Sequence, residues 1–305
     1  MRIDCVIPTY HPDEKFVANL KQLKKQTLGL GKIIVINTEE SFFNVKIPED
    51  MDNIEIHHIK KAEFDHGGTR NAGLLLTDAD VVLFLTQDAV PANEYLVEKM
   101  LEPFADPQVA AVYGRQLADP KKSPVEAFTR QFNYPAKSRK KTEEDLETLG
   151  IKTFFCSNVC AAYRRAVYEE LGGFPLKTIF NEDMIFASKL IEHHYAVYYQ
   201  AEAKVWHWHD YTGIQQLHRN FDLGVSQKAH GGLFLTVKSE SEGIRLVKDT
   251  LKWLVETKQF GKIPGVIWQS GCKYIGYKCG FHYDKLPKEL ILKLTMNKSY
   301  WTDVN

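Results

Sequence analysis

Several features that would place a chain in a special class are missing from this sequence. It has no run of about 18 apolar residues, which is the length that a membrane-spanning helix needs. Residues 1–8 lead directly into an apolar strand pattern, without the long apolar core and small-residue cleavage site of a signal peptide. We therefore expect a cytoplasmic protein, and we leave open a peripheral contact at the inner face of the cell membrane.

Cysteine is scarce, and neither sign of charge is in excess. The five cysteines form no CxxC pair, so we expect reduced thiols and exclude a disulfide framework. Lys+Arg and Asp+Glu number 39 each, so bulk charge gives no indication of nucleic-acid binding. The chain has 305 residues, 44% hydrophobic and 26% charged, which is typical of a soluble protein with one large α/β domain and an appendage, or with two domains.

The most informative segment that is present is the unbroken apolar run Val81–Leu85, which is followed by Thr86, Gln87 and Asp88. A run this short predicts a strand that is buried on both faces. In open α/β sheets, ligands bind just outside the carboxyl ends of such strands, so Asp88 is well placed for a divalent metal or a phosphate-bearing ligand. An alternative role for Asp88 is to cap the helix expected from about Asn93.

Other segments predict a sheet of parallel strands with helices between them. A helix at 14–26 joins the first two strands, as in a β-α-β unit with a right-handed crossover. Residues 64–71 are expected to form a glycine-bearing turn before a helix at 71–76, and the charged segment 119–150 to form a mobile lid or a plain solvated loop. Strands are expected at residues 3–7, 32–38, 53–59, 81–85, 109–114, 196–200 and 203–206.

Residues 231–305 differ from the rest of the chain in composition. They are expected to be helical, and they contain 12 Lys+Arg against 7 Asp+Glu. The basic residues alternate with the aromatic residues Trp253, Trp268, Tyr274, Tyr277 and Trp301. This combination suits a membrane surface or a homo-oligomer interface, and it also suits an ordinary helical layer packed on a sheet.

Three polar clusters offer chemistry at predicted strand ends or helix starts. Arg70 can contact a diphosphate, or it can form a salt bridge at a helix start. Asp88 with a histidine of the His207-Trp208-His209 segment gives a mixed oxygen and nitrogen ligand set, which favours Mn²⁺ or Mg²⁺ over a structural zinc. Glu182 and Asp183 stand at a predicted helix start, where they can supply a general base or can only stabilise the helix end.

The order and spacing of these clusters resemble those of the inverting glycosyltransferases of family 2. The matching segments are Val6-Ile7-Pro8-Thr9-Tyr10, Thr86-Gln87-Asp88-Ala89, Asn181-Glu182-Asp183 and His207-Trp208-His209-Asp210-Tyr211. Residues 64–71 and 219–224 look most like the bacterial rhamnosyltransferase branch, which uses dTDP-rhamnose in building cell-surface polysaccharides. The resemblance implies a GT-A fold over residues 1–230, that is, a Rossmann-like, mostly parallel mixed α/β sheet flanked by helices. Residues 231–305 would then be a helical appendage for acceptor, membrane-surface or oligomer contacts.

The resemblance also implies roles for individual residues. Asp183 would be the catalytic base, and Asp88 with His209 or His207 would hold Mn²⁺ or Mg²⁺. The nucleotide-sugar donor would bind to Thr9, Tyr10, Thr38, Arg70, Gln87 and Asp88. The donor or acceptor sugar would contact Asn158, Glu182, Trp208 and Arg219.

Two departures from the family pattern qualify this expectation. Thr86 stands where the first acid of the metal-binding Asp-x-Asp is usual, so metal binding depends on Asp88 and a histidine. The segment Gln216-Leu217-His218-Arg219-Asn220 lacks the tryptophan of the processive Gln-x-x-Arg-Trp motif, which favours addition of one or a few sugars to a saccharide or lipid-linked glycan acceptor.

Two alternative functions stay open: transfer from a UDP-linked donor, and a non-catalytic subunit that binds a nucleotide sugar or a glycan. A nucleotidyltransferase would need a glycine-rich basic loop near residue 8, which is missing.

Overall fold

The computed structural model describes residues 1–234 and 240–301. Within these residues, nine strands form one mixed sheet. The strands are β1 (Ile3–Tyr10), β2 (Ile33–Thr38), β3 (Ile54–Ile59), β4 (Val81–Leu85), β5 (Val90–Pro91), β6 (Val109–Leu117), β7 (Arg139–Lys141), β8 (Cys160–Arg164) and β9 (Ala196–Trp206). Their order across the sheet is β3-β2-β1-β4-β8-β6-β9-β5, and β7 also pairs with β9.

The strand directions bring several carboxyl ends to one edge of the sheet. Strands β3, β2, β1 and β4 are parallel to one another, and β6 is parallel to β9. Both β4 and β6 are antiparallel to β8, so they run in the same direction as each other. The carboxyl ends of β1, β2, β4, β6 and β9 therefore share an edge, which is where ligands bind in folds of this kind.

Helices cover both faces of the sheet because its central strands are apolar on both sides. All five residues of β4 are fully buried, as the unbroken apolar run predicted. One face packs on α1 and α3 and the other on α2, α6 and α7. The helices are α1 (Glu14–Lys24), α2 (His66–Leu75), α3 (Leu96–Leu101), α4 (Pro124–Asn133), α5 (Leu146–Leu149), α6 (Arg165–Glu170), α7 (Glu182–Glu192), α8 (Gly213–Ala229), α9 (Gly231–Phe234), α10 (Glu240–Glu256), α11 (Ile263–Phe281) and α12 (Lys288–Leu294).

Three expectations from the sequence were wrong. Residues 196–206 form one strand, because a bulge opposite Gly114 and Arg115 accommodates the polar residues in its middle. Helix α2 begins at His66 instead of Asn71, because the Asp65 side chain accepts a hydrogen bond from the backbone N–H of Gly68 and caps the helix. Segment 119–150 is not a loop, since it contains α4, β7 and α5 and buries Tyr134.

Helices α8 and α11 pack very closely, and glycines permit this contact. A Cβ atom on Gly276 would overlap the carbonyl oxygen of Leu217, and one on Gly280 would overlap that of Phe221. A small core beside this contact joins α8 to the end of the described chain, and it contains Phe221, Val225 and Trp301. None of the described helices is long and apolar enough to cross a membrane.

Candidate active site

A cleft of about 590 Å³ opens at the shared edge of strand ends. This is within the size range of small-ligand sites. Strands and helices that are distant in the chain each supply part of the lining, because their ends meet at this edge. The predicted site residues that line the cleft are Arg70, Gln87, Asp88, Asn158, Glu182, Asp183, His207, His209 and Arg219.

Asp88, His207 and His209 form a cluster with the geometry of a metal site. Asp88 follows β4, and the two histidines follow β9. The Asp88 carboxylate oxygens lie 3.6 Å from His207 Nε2 and 3.3 Å from His209 Nε2, and the two Nε2 atoms are 3.2 Å apart. One ligand atom from each residue lies within 4.8 Å of the others. Asp88 therefore faces the histidines, and it does not cap the next helix, where Asn93 accepts the hydrogen bond from the Tyr95 backbone.

The surroundings of the two histidines favour metal binding. Burial lowers the pKa of His207 to about 3 and also lowers that of His209, against the opposing effect of Asp88, which favours the neutral form of both rings. Gln116, at the end of β6, lies with its side-chain oxygen 3.0 Å from His207 Nδ1. An Nδ1–H that donates to this oxygen leaves the Nε2 lone pair of His207 directed toward Asp88. The donor set of two imidazoles and one carboxylate thus fits a divalent cation.

Glu182 and Asp183 begin helix α7 and line the same cleft as the Asp88–His207–His209 cluster. The backbone N–H of Asn158 donates to Asp183 at 3.0 Å, and the side-chain amide of Asn158 donates to Glu182 at 3.1 Å. Burial and the neighbouring Glu182 raise the pKa of Asp183 to about 7. Burial alone would raise the pKa of Glu182, but Arg70, His66 and Asn158 outweigh it and lower that pKa. The pair is therefore divided into one ionised acid and one acid that is able to take up a proton near neutral pH.

Comparison with known proteins identifies the family of this chain. The model of glycosyl transferase family 2 matches residues 4–172, which is more than half of the chain. The chain belongs to glycosyl transferase family 2. It is therefore an inverting glycosyltransferase, as the sequence motifs predicted. It is 41% identical to the O-antigen chain rhamnosyltransferase RfbN of Salmonella typhimurium, over 100% of this chain and 97% of that protein. It is 38% identical to the O-antigen chain rhamnosyltransferase WbaN of Salmonella anatum, over 98% of this chain and 95% of that protein.

Solved structures confirm that this family 2 glycosyltransferase has the GT-A fold. One is the mannosyltransferase PcManGT of Pyrobaculum calidifontis in complex with GDP-Man and Mn²⁺, with a TM-score of 0.61 and 15% identity over 93% of this chain and 88% of that one. Another is the S. aureus TarS fragment 1–349 in complex with UDP-GlcNAc, with a TM-score of 0.50 and 16% identity over 93% and 92%. At this identity the likeness concerns the fold alone.

Arg70 of the glycosyltransferase lies in a salt bridge inside the cleft. It occupies the second turn of α2, it is buried, and its guanidinium is 3.2 Å from Glu182. It also donates to the backbone carbonyl of His66 at 2.8 Å. Both contacts use Nη1, and the buried Nε has no hydrogen-bond partner among the described residues, so the guanidinium keeps a donor for its predicted contact with a diphosphate.

Four predicted site residues do not line the cleft. Thr9 donates to Asn37 at 3.0 Å, and Thr38 is buried beside it at the end of β2. Tyr10 is 41% exposed, and its backbone is hydrogen-bonded in both directions to the side chain of Gln87. Trp208 packs edge-on against Trp206 with the ring centroids 6.4 Å apart. Thr9, Tyr10 and Thr38 thus lie at the same sheet edge as the cleft, but they stand beside the cleft and do not line it.

Among the residues that line the cleft and that the sequence reasoning missed, three polar ones contribute to its chemistry: Gln116, Arg130 and Lys273. Gln116 had the same signal as Asp88, since it is a polar residue at the carboxyl end of an apolar strand. Arg130, on α4, donates to the Gln116 side-chain oxygen at 2.6 Å and pairs with Glu126 at 2.9 Å. Neither Arg130 nor Lys273, on α11, had any local signal, because only the folded chain brings these helices to the sheet edge.

Proposed function

We propose that this enzyme transfers rhamnose from dTDP-rhamnose to a hydroxyl group of a saccharide acceptor in cell-surface polysaccharide synthesis. The two rhamnosyltransferase relatives, each similar over nearly its full length, support the sugar and the pathway class. The main support for this reaction is that Asp183, a carboxyl group with a pKa near neutrality, lines the same cleft as the Asp88–His207–His209 cluster.

In the proposed reaction, Asp183 removes the proton from the acceptor hydroxyl. The acceptor oxygen forms a bond to the anomeric carbon while the bond from that carbon to the diphosphate oxygen breaks, which inverts the anomeric configuration. The proton moves to the Asp183 carboxylate, and dTDP leaves with the bonding electrons. A base with a pKa near the working pH is the most effective, because it is ionised and is still basic enough to accept a proton.

Asp88, His207 and His209 would hold a divalent cation, which when bound would neutralise negative charge on the departing diphosphate. Gln116, by accepting a hydrogen bond from His207 Nδ1–H, would leave Nε2 of His207 available as a ligand. Glu182 stays ionised and is held by Arg70 and Asn158, so it disfavours ionisation of Asp183 in the resting cleft.

We place the nucleotide next to the cleft, at the ends of β1 and β2. Tyr10, His11 and Phe42 form an aromatic cluster there, with His11 and Phe42 stacked at 3.8 Å. Aromatic faces suit a nucleobase, since stacking accepts any base. Gln87 joins this cluster to the cleft through its hydrogen bonds with the Tyr10 backbone, so Thr9, Tyr10 and Thr38 would hold the nucleoside while Asp88 faces the diphosphate.

A panel of nucleotide sugars tests this function. The protein is incubated with Mn²⁺ and dTDP-rhamnose, or with UDP-linked and GDP-linked sugars, and release of the nucleoside diphosphate is followed without and with saccharide acceptors. We expect turnover with dTDP-rhamnose and acceleration by a suitable acceptor. Turnover with a UDP-linked sugar but not with dTDP-rhamnose would refute the donor assignment. Saturable binding of a donor without turnover against every acceptor would indicate a binding subunit.

We also propose that the outer face of α11 contacts an anionic membrane surface. Ile267, Trp268, Tyr274 and Ile275 lie within one arc of this helix and are 57%, 61%, 63% and 54% exposed. No acidic residue occurs on α11, and Lys262 precedes it. Aromatic and aliphatic side chains flanked by lysines are typical of an interfacial helix. In a symmetric dimer through this face, the lysine side chains of the two copies would approach one another, which disfavours a second copy as the occupant.

Vesicle flotation tests this contact in the absence of donor and acceptor. The protein should bind vesicles of phosphatidylglycerol and phosphatidylethanolamine, and Trp268→Ser with Ile275→Ser should reduce the bound fraction at least about tenfold. Leu75→Ser, at a residue that is 74% exposed on α2, is the control and should bind normally. Equal binding by the double variant, or a change in oligomeric mass in place of vesicle binding, would refute the proposal.

A further inference from the structure

The charges that line the cleft are not all paired with one another. Arg70 is paired with Glu182, and Arg130 is paired with Glu126. Asp88 faces the two histidines. Two cations on the lining, Arg219 and Lys273, form no ion pair with a carboxylate anywhere in the described residues. Both lie beyond residue 172, where the match to the family model ends.

Arg219, on α8, is held by aromatic rings. Its guanidinium carbon lies 4.6 Å from the ring centre of Phe180 and 5.8 Å from that of Tyr211. Stacking of this kind uses the face of the guanidinium plane, whereas the N–H groups lie in the plane and can donate to an anion. Arg219, His209 and Lys273 all line the same cleft, so this guanidinium and the Lys273 ammonium share a cavity with the Asp88–His207–His209 cluster.

Lys273 projects from the opposite side of α11 to the exposed apolar face. Burial lowers the pKa of its ammonium group, and Glu126, the acid that opposes this effect most, is already engaged by Arg130. Lys273 is only partly buried, but an ammonium group that loses part of its hydration without a carboxylate partner is still stabilised by an accompanying anion. The close contact of α8 with α11 at Gly276 and Gly280 brings the helix that carries Lys273 against the helix that carries Arg219.

We propose that Arg219 and Lys273 form an anion subsite of the cleft, which binds a phosphate or diphosphate group. The proposal rests on the proposed function for the source of that group. It is either the diphosphate of the nucleotide-sugar donor or a phosphate carried by the acceptor. In both cases helix α11 contributes directly to substrate binding through Lys273, a residue that the family motifs do not contain.

The variant Lys273→Met, with Lys278→Met as its control, tests the subsite. Lys278 is on the same helix, and its ammonium lies over the ring of Tyr274, outside the cleft. Binding of dTDP is measured by calorimetry in the presence of Mn²⁺, and binding of phenyl phosphate is measured with the protein saturated in dTDP. Thermal melting checks that each variant is folded, and Lys273→Arg should keep the affinity because it keeps the charge.

A loss of at least about fivefold in dTDP affinity in Lys273→Met alone would support the subsite and assign it to the donor. Unchanged dTDP affinity with loss of phenyl phosphate binding would support it and assign it to the acceptor. Unchanged affinity for both probes, or an equal loss in Lys278→Met, would overturn it. Inorganic pyrophosphate serves as a third probe, because its binding requires no sugar transfer. A failure of the proposed function with every donor would therefore leave the subsite test intact.

Discussion

At the scale of single residues, the side-chain oxygen of Gln116 serves two groups of the cleft. It is 3.0 Å from His207 Nδ1 and accepts a hydrogen bond from Arg130 at 2.6 Å. Without it, His207 would lose the partner that fixes its tautomer. Gln116→Leu is therefore expected to weaken Mn²⁺ binding by about 10- to 100-fold, measured by electron paramagnetic resonance. Gln131→Leu, at an exposed position on α4, should leave the affinity unchanged, and an unchanged affinity in Gln116→Leu would refute the positioning role.

The raised pKa of Asp183 predicts a pH dependence of the transfer rate. Burial and the charge of Glu182 raise this pKa to about 7, and the base must be ionised to accept a proton. We expect kcat/KM to fall by about tenfold for each pH unit below this pKa. A rate that is flat down to about pH 5 would contradict the assignment of Asp183 as the base.

The same raised pKa gives a stability effect of known sign. The folded state holds the Asp183 proton more tightly than the unfolded state, so folding is penalised increasingly as the pH rises from the ordinary range of an aspartate to about 7. Replacement by a residue that cannot ionise removes this penalty. We therefore expect Asp183→Asn to raise the Tm more at about pH 8 than at about pH 5.

Sequence reasoning predicted cleft residues where a local signal stood at the end of a predicted element, and it missed residues whose signal was absent or lay outside the predicted bounds. Asp88 follows an apolar strand, and Asp183 begins an amphipathic helix, so both were predicted to be at the site that they line. Gln116 had the same signal as Asp88, but its strand was predicted to end at Gly114, before it. Lys273 is an ordinary lysine within a helix, and its place in the cleft depends entirely on how α11 packs on α8.

At the scale of elements, the contact between α8 and α11 determines how the cleft wall is assembled. A Cβ on Gly280 would overlap the carbonyl oxygen of Phe221, whereas Gly271, on the same helix, has nothing within 4 Å. Gly280→Ala is expected to destabilise the protein by about 2 kcal/mol or more through overpacking. Gly271→Ala should be neutral or stabilising by about 0.5–1 kcal/mol, since alanine favours the helix. Urea unfolding measures both, and equal effects of the two substitutions would contradict the close contact.

The elements that the sequence predicted are those whose pattern is set within a few residues. The apolar run of β4 and the β-α-β unit of β1, α1 and β2 were predicted close to their observed bounds. The prediction for segment 119–150 was wrong because its many charged residues suggested a loop. In the structure its lysines are used in specific contacts: Lys141, at the edge strand β7, is buried and donates to the backbone carbonyls of Lys152 and Phe155. Such partners lie too far along the chain for a local pattern to show.

At the scale of the whole molecule, the helical region after residue 230 is packed on the catalytic part of the chain. Helix α11 contacts α8, and Trp301 shares a core with Ile179 and Phe221. We expect the protein to unfold in one calorimetric transition that includes both regions, because separation at residue 230 would expose this core to water. Two resolved transitions would indicate that residues 231–305 form an independent domain.

The role of Asp183 as the base of sugar transfer is tested most directly by single-turnover kinetics of Asp183→Asn with dTDP-rhamnose, Mn²⁺ and acceptor. The amide keeps the size of the carboxylate and its hydrogen bond from the Asn158 backbone, but it cannot take up the hydroxyl proton. Transfer should fall by at least about 10²- to 10⁴-fold, with the donor affinity changed less than about threefold. Asp52→Asn, at an exposed position, should transfer normally. Transfer by Asp183→Asn at a rate near that of the unmodified protein would contradict the mechanism.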